Sequence, residues 1–173
     1  MTDVLTVVRE RRSVRAYEER SIASDVIGQL KEAMLRSPSS RGVRPWRFVF
    51  VTDREKLAKL SRAKPRYAGF LADAALGVAV CADEGASDAW VEDCSIAATI
   101  LQLTAASLGL GSCWIQIRMR PHDDGSSAEG YVAAALGLPE HTRVECIVSL
   151  GYPAEKKPPV DTERLKWDAV ADV

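Results

Sequence analysis

A chain of 173 residues suits one domain, spanning 1–173, with a buried core. Apolar residues make up 47% and charged residues 27%, and 23 Lys and Arg against 24 Asp and Glu leave a formal charge of -1, so no global basic field recruits nucleic acid or an anionic membrane. No window approaches the ~18 apolar residues of a membrane span, and MTDVLTVVRERR lacks the apolar stretch of a signal peptide, so the chain is expected to be soluble and cytoplasmic.

In chain order, DVLTVVRERR carries apolar positions 4, 5, 7 and 8 and predicts a first helix. SDVIGQLKEAMLRS predicts a second, with Ser24 as N-cap and Pro38 as its stop. WRFVFV, residues 46–51, is aromatic and β-branched and reads as a strand. Thr52 and Glu55 are placed to form a capping box for a short helix over DREKLAKLS. ALGVAVCA, residues 75–82, is a continuous apolar run that suits a central strand covered on both faces. The longest helix is expected from Asp88 to Leu108, at the centre of the core, with Gly109 as its C-cap. SCWIQI reads as a third strand, Ser126 and Glu129 cap a helix ending near Gly137, and VECIVSLGY reads as a fourth strand. The Lys-, Pro- and Glu-rich segment 152–173 is expected to be an extended tail.

Few short strands separated by helices, with the first two helices consecutive, predict an α+β fold: a central mixed or antiparallel sheet flanked by helices. A doubly wound nucleotide fold is disfavoured because Gly109-x-Gly111 follows a helix and enters a strand, the reverse of the phosphate-binding order. Cys81, Cys94, Cys113 and Cys146 show no Cys-x-x-Cys spacing and read as reduced, mostly buried thiols. His122 and His141 have no cysteine at ligand spacing, so no metal site is expected.

Two stretches are rich in potential anion donors. RERRSVRAYEER crowds Arg9, Arg11, Arg12, Arg15 and Arg20 around Ser13 and Tyr17. It can be read as a solvated helix end, as a nucleic-acid patch weakened by Glu10, Glu18 and Glu19, or as a clamp in which Arg11 and Arg15 converge on a phosphate. PSSRGVRPWRF, residues 38–48, sets short donors at Ser39 and Ser40, a permissive Gly42 and a rigid Pro45 between helix and strand.

RRSVRAY, PSSRGVRPWRF, LGLGSCWI and LGYPAEKKPP, in that order and spanning nearly the whole chain, resemble the nitroreductase family of flavoproteins. The resemblance implies a dimeric α+β fold with two FMN molecules at the interface, each held by residues of both subunits, and a tail that embraces the partner subunit. It implies that Arg11, Arg12, Ser13 and Arg15 contact phosphate and ribityl chain, and that Lys156 and Lys157 reach the phosphate. Pro38, Ser39, Ser40 and Gly42 would form the turn against the flavin, and Gly111 and Ser112 would shape its pocket, with Cys113 nearby.

The chain departs from the family's commonest pattern at Gly42, where Asn is usual, and at Arg44, where Gln is usual. A guanidinium at Arg44 near the flavin's pyrimidine edge would favour the reduced, anionic ring. Tyr67, Phe70 and Trp90 are expected either to line the opening for the electron acceptor or to pack in the core. The family implies NAD(P)H as donor, a flat nitroaromatic or quinone as acceptor and ping-pong exchange, with the chemistry at flavin N5 and no catalytic side chain required. Two alternatives share the fold: a flavin-binding protein for storage or sensing, and a reductive dehalogenase or flavin-modifying enzyme.

Overall fold

The computed structural model describes residues 3–173. Five α-helices surround a four-stranded sheet: α1 Val4–Glu10, α2 Ser24–Leu35, β1 Trp46–Val51, α3 Arg54–Leu60, β2 Leu76–Asp83, α4 Trp90–Ser107, β3 Gly111–Gln116, α5 Ala128–Leu136 and β4 Thr142–Gly151. Short 3-10 turns cover Ser40–Gly42, Gly69–Asp73, Thr162–Arg164 and Trp167–Ala169. The strand order is β1-β2-β4-β3, and every neighbouring pair is antiparallel. The expected sheet is therefore antiparallel throughout, with β1 and β3 at its edges.

The apolar run of β2 explains its central place. Val78, Val80 and Ala82 face a core built from Leu30 and Met34 of α2 and from Cys94, Ala97, Ala98 and Leu101 of α4. Ala79 and Cys81, one pleat out of phase, face Leu57, Leu60, Leu71, Val132, Ile115 and Ile147 on the other side. A register shift between Val80 and Cys81 places Glu145 of β4 at a bulge.

Three helix starts differ from the sequence expectation by one residue, because a neighbouring residue takes the N-cap position. Ala23 precedes α2 and Ser24 lies inside it, without a side-chain cap. At α3 the carboxylate of Asp53 accepts from Lys56 N, displacing Thr52 from that role. At α5 the hydroxyl of Ser127 accepts from Gly130 N, displacing Ser126. The longest helix begins at Trp90 rather than Asp88, and the tail is extended except for its two 3-10 turns.

Candidate active site

After α1 the chain runs across the ends of β3 and β4. Ser13 bridges Ser112, Val14 N donates to Ser112 O at 3.0 Å, and Tyr17 bridges Pro153. The tail closes over this strap, with Ala154 N donating to Ala16 O at 2.9 Å. Two glycines paired across the strands make the crossing possible, Gly111 opposite Gly151. A Cβ on Gly111 would lie 2.8 Å from Val14 Cβ, and one on Gly151 would lie 2.8 Å from Tyr17 Cδ1. The strap is thus seated on bare backbone. The Tyr17 hydroxyl donates to Val14 O at 2.8 Å and shares a 2.7 Å hydrogen bond with Ser149, and burial pushes its pKa up.

Strap, tail and the end of α4 enclose a cavity of about 470 Å³ lined by Arg11, Arg12, Gly111, Ser112, Lys156 and Lys157 among others. Its charged walls are four cations against Glu10 and Glu155. Glu155 is already engaged, accepting from Arg15 N at 3.0 Å and pairing with Lys157 at 2.7 Å, contacts that hold its pKa below the usual carboxylate value. Lys157 also donates to Ser13 O at 2.9 Å, and the Arg12 guanidinium donates to Pro158 O. Among the described residues Arg11 and Lys156 make no ion pair. The cavity carries an excess of positive charge with two cations uncommitted, the composition an anionic ligand requires.

Arg15 is not part of this wall; its guanidinium lies 5.8 Å from the centre of the half-buried Phe70 ring. Next to it is Cys113 on β3, whose thiol is pushed up by burial against the opposing influence of Arg15, Ser13, Lys157 and Lys64. Further along β3 a second opening of about 440 Å³ is lined by Lys64, Pro65, Arg66, Tyr67, Gln116, Arg120 and Pro121. From Ser112 to Gln116 the strand advances about 13 Å, so the two openings lie at the two ends of one edge strand. Sequence reasoning missed Lys64, Gln116 and Arg120 as site residues, whereas Cys113 belongs to LGLGSCWI; the only signal for Gln116 was its place on the strand that begins at Gly111. Tyr67 is 80% exposed at this opening, with φ 64°. Trp90 is a core residue, 8% exposed, with the Arg118 guanidinium 5.6 Å from its ring centre.

The turn after α2 lies elsewhere. Pro38 is exposed, the Ser39 hydroxyl accepts from Arg44 N at 3.0 Å, and Ser40 N donates to Asp93 Oδ1 at 2.8 Å. Arg41, Gly42 and Arg44 all have positive φ, 52°, 69° and 55°, and Arg41 pairs with Asp88 at 2.7 Å. Left-handed backbone at a non-glycine residue costs about 1–3 kcal/mol, and Asp93, buried and missed by sequence reasoning, helps hold the turn in that shape. Arg44 lines an open groove of about 450 Å³ with Lys31, Leu35, Trp46, Phe48 and Phe50. Trp46 is half-buried and stacks on Phe48, part surface and part core.

The turn packs on the start of α4 at Asp93, whereas the cationic cavity touches Ala106 near its end. Thirteen helical residues separate the two, about 20 Å. Within one chain, Arg11, Arg12, Gly111, Ser112, Lys156 and Lys157 are brought together, and Pro38, Ser39, Ser40, Gly42 and Arg44 are not brought to them. Between these ends α1 and α4 leave Val4, Leu5, Val8 and Ile96 exposed. Among the described residues no cluster of three or more metal-ligating side chains occurs, and no helix is long and apolar enough to cross a membrane.

The family model described as the nitroreductase family matches residues 8–65 and 58–152. A protein of Archaeoglobus fulgidus, provisionally described as an NADH dehydrogenase/NAD(P)H nitroreductase, is 37% identical over 161 residues, covering 91% of this chain and 89% of its own. The structure of an FMN-dependent nitroreductase from Clostridium difficile R20291 superposes with a TM-score of 0.94 at 40% identity, covering 97% of this chain and 98% of that one. One from Bacteroides thetaiotaomicron, provisionally described as an NADH dehydrogenase/NAD(P)H nitroreductase, gives 0.89 at 32% identity over 99% of this chain and 98% of that one. With the family model matched over most of the chain, and with relatives of 37% and 40% identity aligned along almost its entire length, the chain belongs to the nitroreductase family.

Proposed function

We propose that this protein is a homodimeric, FMN-dependent oxidoreductase that takes electrons from NAD(P)H and passes them to flat aromatic acceptors such as nitroaromatics or quinones. The observation that carries the proposal is the cavity walled by Arg11, Arg12, Lys156 and Lys157, assembled from both ends of the chain. The residues fit FMN: uncommitted cations for a phosphate dianion, and an edge strand running about 13 Å to a second opening. Arg11 and Lys156 would bind the phosphate, with Arg12 and Lys157 fixing the tail over the strap through Pro158 and Ser13. Arg15, Cys113 and Gln116 would border the ring. When bound, the flavin supplies two-electron transfer, and the chain's own residues bind, orient and shield. No acid or base from the protein is called for, and one opening serves donor and acceptor in turn, which is ping-pong exchange.

The separation along α4 supports the dimer. A twofold axis pairing antiparallel copies of α4 would bring one subunit's 38–44 turn to its partner's cationic cavity. The exposed Val4, Leu5, Val8 and Ile96 give such a seam its apolar surface, and Leu165, Trp167 and Val170, exposed along the distal tail, give it an embrace. Four free, buried cysteines suit a reducing cytoplasm.

The test is anaerobic. Purified protein is expected to be yellow or to take up FMN, to bleach with NADH or NADPH, and to regain colour with a nitroaromatic. A flavin that neither nucleotide bleaches would favour storage or sensing, and a protein that refuses FMN would refute the proposal.

A further inference from the structure

The opening beyond Gln116 is built from two loops locked to each other. Ala63 is fully buried, its carbonyl lies 3.2 Å from His122 Nδ1, and the His122 ring stacks on Tyr131 at 4.1 Å. Pro65 and Pro121 stiffen the two loops on either side of the opening. These loops hold Lys64, Arg66 and Arg120 around one space, and no Asp or Glu lines it. Among the described residues the six ion pairs engage Arg36, Arg41, Arg118, Arg143 and Lys157, so the three cations of this pocket have no carboxylate within 4.0 Å. Lys64 is half-buried, and its pKa is lowered by that burial and by the neighbouring Arg120. Like charges held together without a counter-ion favour the state in which an anion joins them.

We propose that Lys64, Arg66 and Arg120 form a recognition site for an anionic group, phosphate or carboxylate, carried by the molecule that stacks at the flavin. The inference rests on the flavin reading above and goes further, because it names a charge on the substrate. Planar guanidinium forks suit both groups, so the anion has two sources: the 2′-phosphate that distinguishes NADP(H) from NAD(H), or the carboxylate of an acidic aromatic acceptor. Tyr67 at the rim offers the ring face against which such a molecule would lie.

The site is tested by equilibrium titration of the FMN-loaded dimer, without turnover, using NADP+ against NAD+ and 4-nitrobenzoate against 4-nitrobenzamide. The expected result is that one anionic member binds at least about tenfold more tightly than its counterpart, as one charge-assisted contact would give. Arg66→Gln/Arg120→Gln, two exposed positions, removes that preference while FMN content and melting temperature stay at wild-type values. A preference for NADP+ identifies the donor phosphate as the source, and one for nitrobenzoate identifies an acidic acceptor. Equal binding within both pairs, or a preference that survives in the variant and at high ionic strength, overturns the proposal. Normal FMN content alongside that result would leave the flavin reading standing; loss of FMN from the wild type would instead refute the flavin reading.

Discussion

Gly111→Ala is the sharpest single perturbation of the site, because the three protein atoms nearest the added methyl all belong to the Val14 side chain. Its Cβ would stand 2.8 Å from both Cβ and Cγ1 of Val14 and 2.9 Å from Cγ2, where carbon atoms prefer about 3.5–4.0 Å. Strap or strand must therefore part by roughly 0.7 Å or more. Overpacking of this kind costs about 1–3 kcal/mol, a fall of roughly 2–12 °C in Tm for a domain of this size. Because the strap carries Arg11 and Arg12, FMN affinity falls with it. Val14→Ala relieves two of the three close contacts and Val14→Gly all three, so the double variants recover in that order. The assay is a double-mutant cycle on urea unfolding and on FMN Kd by flavin fluorescence. Coupling of about 0.5–3 kcal/mol is expected; a Gly111→Ala protein as stable as wild type, or losses that simply add, would show that the strap is not seated on this glycine.

Arg11→Ala should weaken FMN by about 1.5–3 kcal/mol, roughly 10–150-fold, and leave riboflavin binding unchanged, since only the phosphate is lost; parallel titrations check it. Arg44→Gln should lower the flavin potential by roughly 40 mV if the guanidinium supplies about 2 kcal/mol to the reduced ring, and spectroelectrochemistry that finds an unchanged potential removes that role. Glu145, buried at the bulge, has its pKa raised first by desolvation, opposed by Gln116 and Arg118 and reinforced by Glu129 and Glu92. Its proton is held more tightly in the folded chain, so its contribution is present at acid pH and is lost as pH rises from the ordinary 4.5 through the raised folded value. Glu145→Gln should therefore gain stability relative to wild type as pH rises across that window, and a difference that is flat with pH contradicts the reasoning.

Much of this architecture was legible because local signals agreed. The uninterrupted apolar run of β2 announced a strand buried on both faces, and Pro38, Gly109 and Gly137 marked helix ends where the structure has them. Helix starts were read one residue away wherever two polar residues competed for one N-cap, as with Thr52 and Asp53. The cationic cavity could be anticipated from RRSVRAY and AEKKPP only because the resemblance joined them; nothing local says that Ser13 and Lys157, 144 positions apart, meet. Gly111 was expected to help shape the flavin pocket; it lines the cationic cavity, and its missing side chain also admits Val14. Lys64, Gln116 and Arg120 were illegible because their convergence depends on how two loops dock through Ala63 and His122, a tertiary fact without a periodic signature.

The central claim, that each flavin is held by the cations of one subunit and the 38–44 turn of the other, is tested most directly by mixing subunits. One chain carries Arg11→Glu/Arg12→Glu, the other Gly42→Val at a φ of 69°, and neither homodimer should retain FMN. Refolded together and isolated as the heterodimer, they should bind one FMN per dimer, because one of the two sites receives only unaltered parts. Heterodimers that bind none, with both parent chains folded and dimeric, would contradict the account.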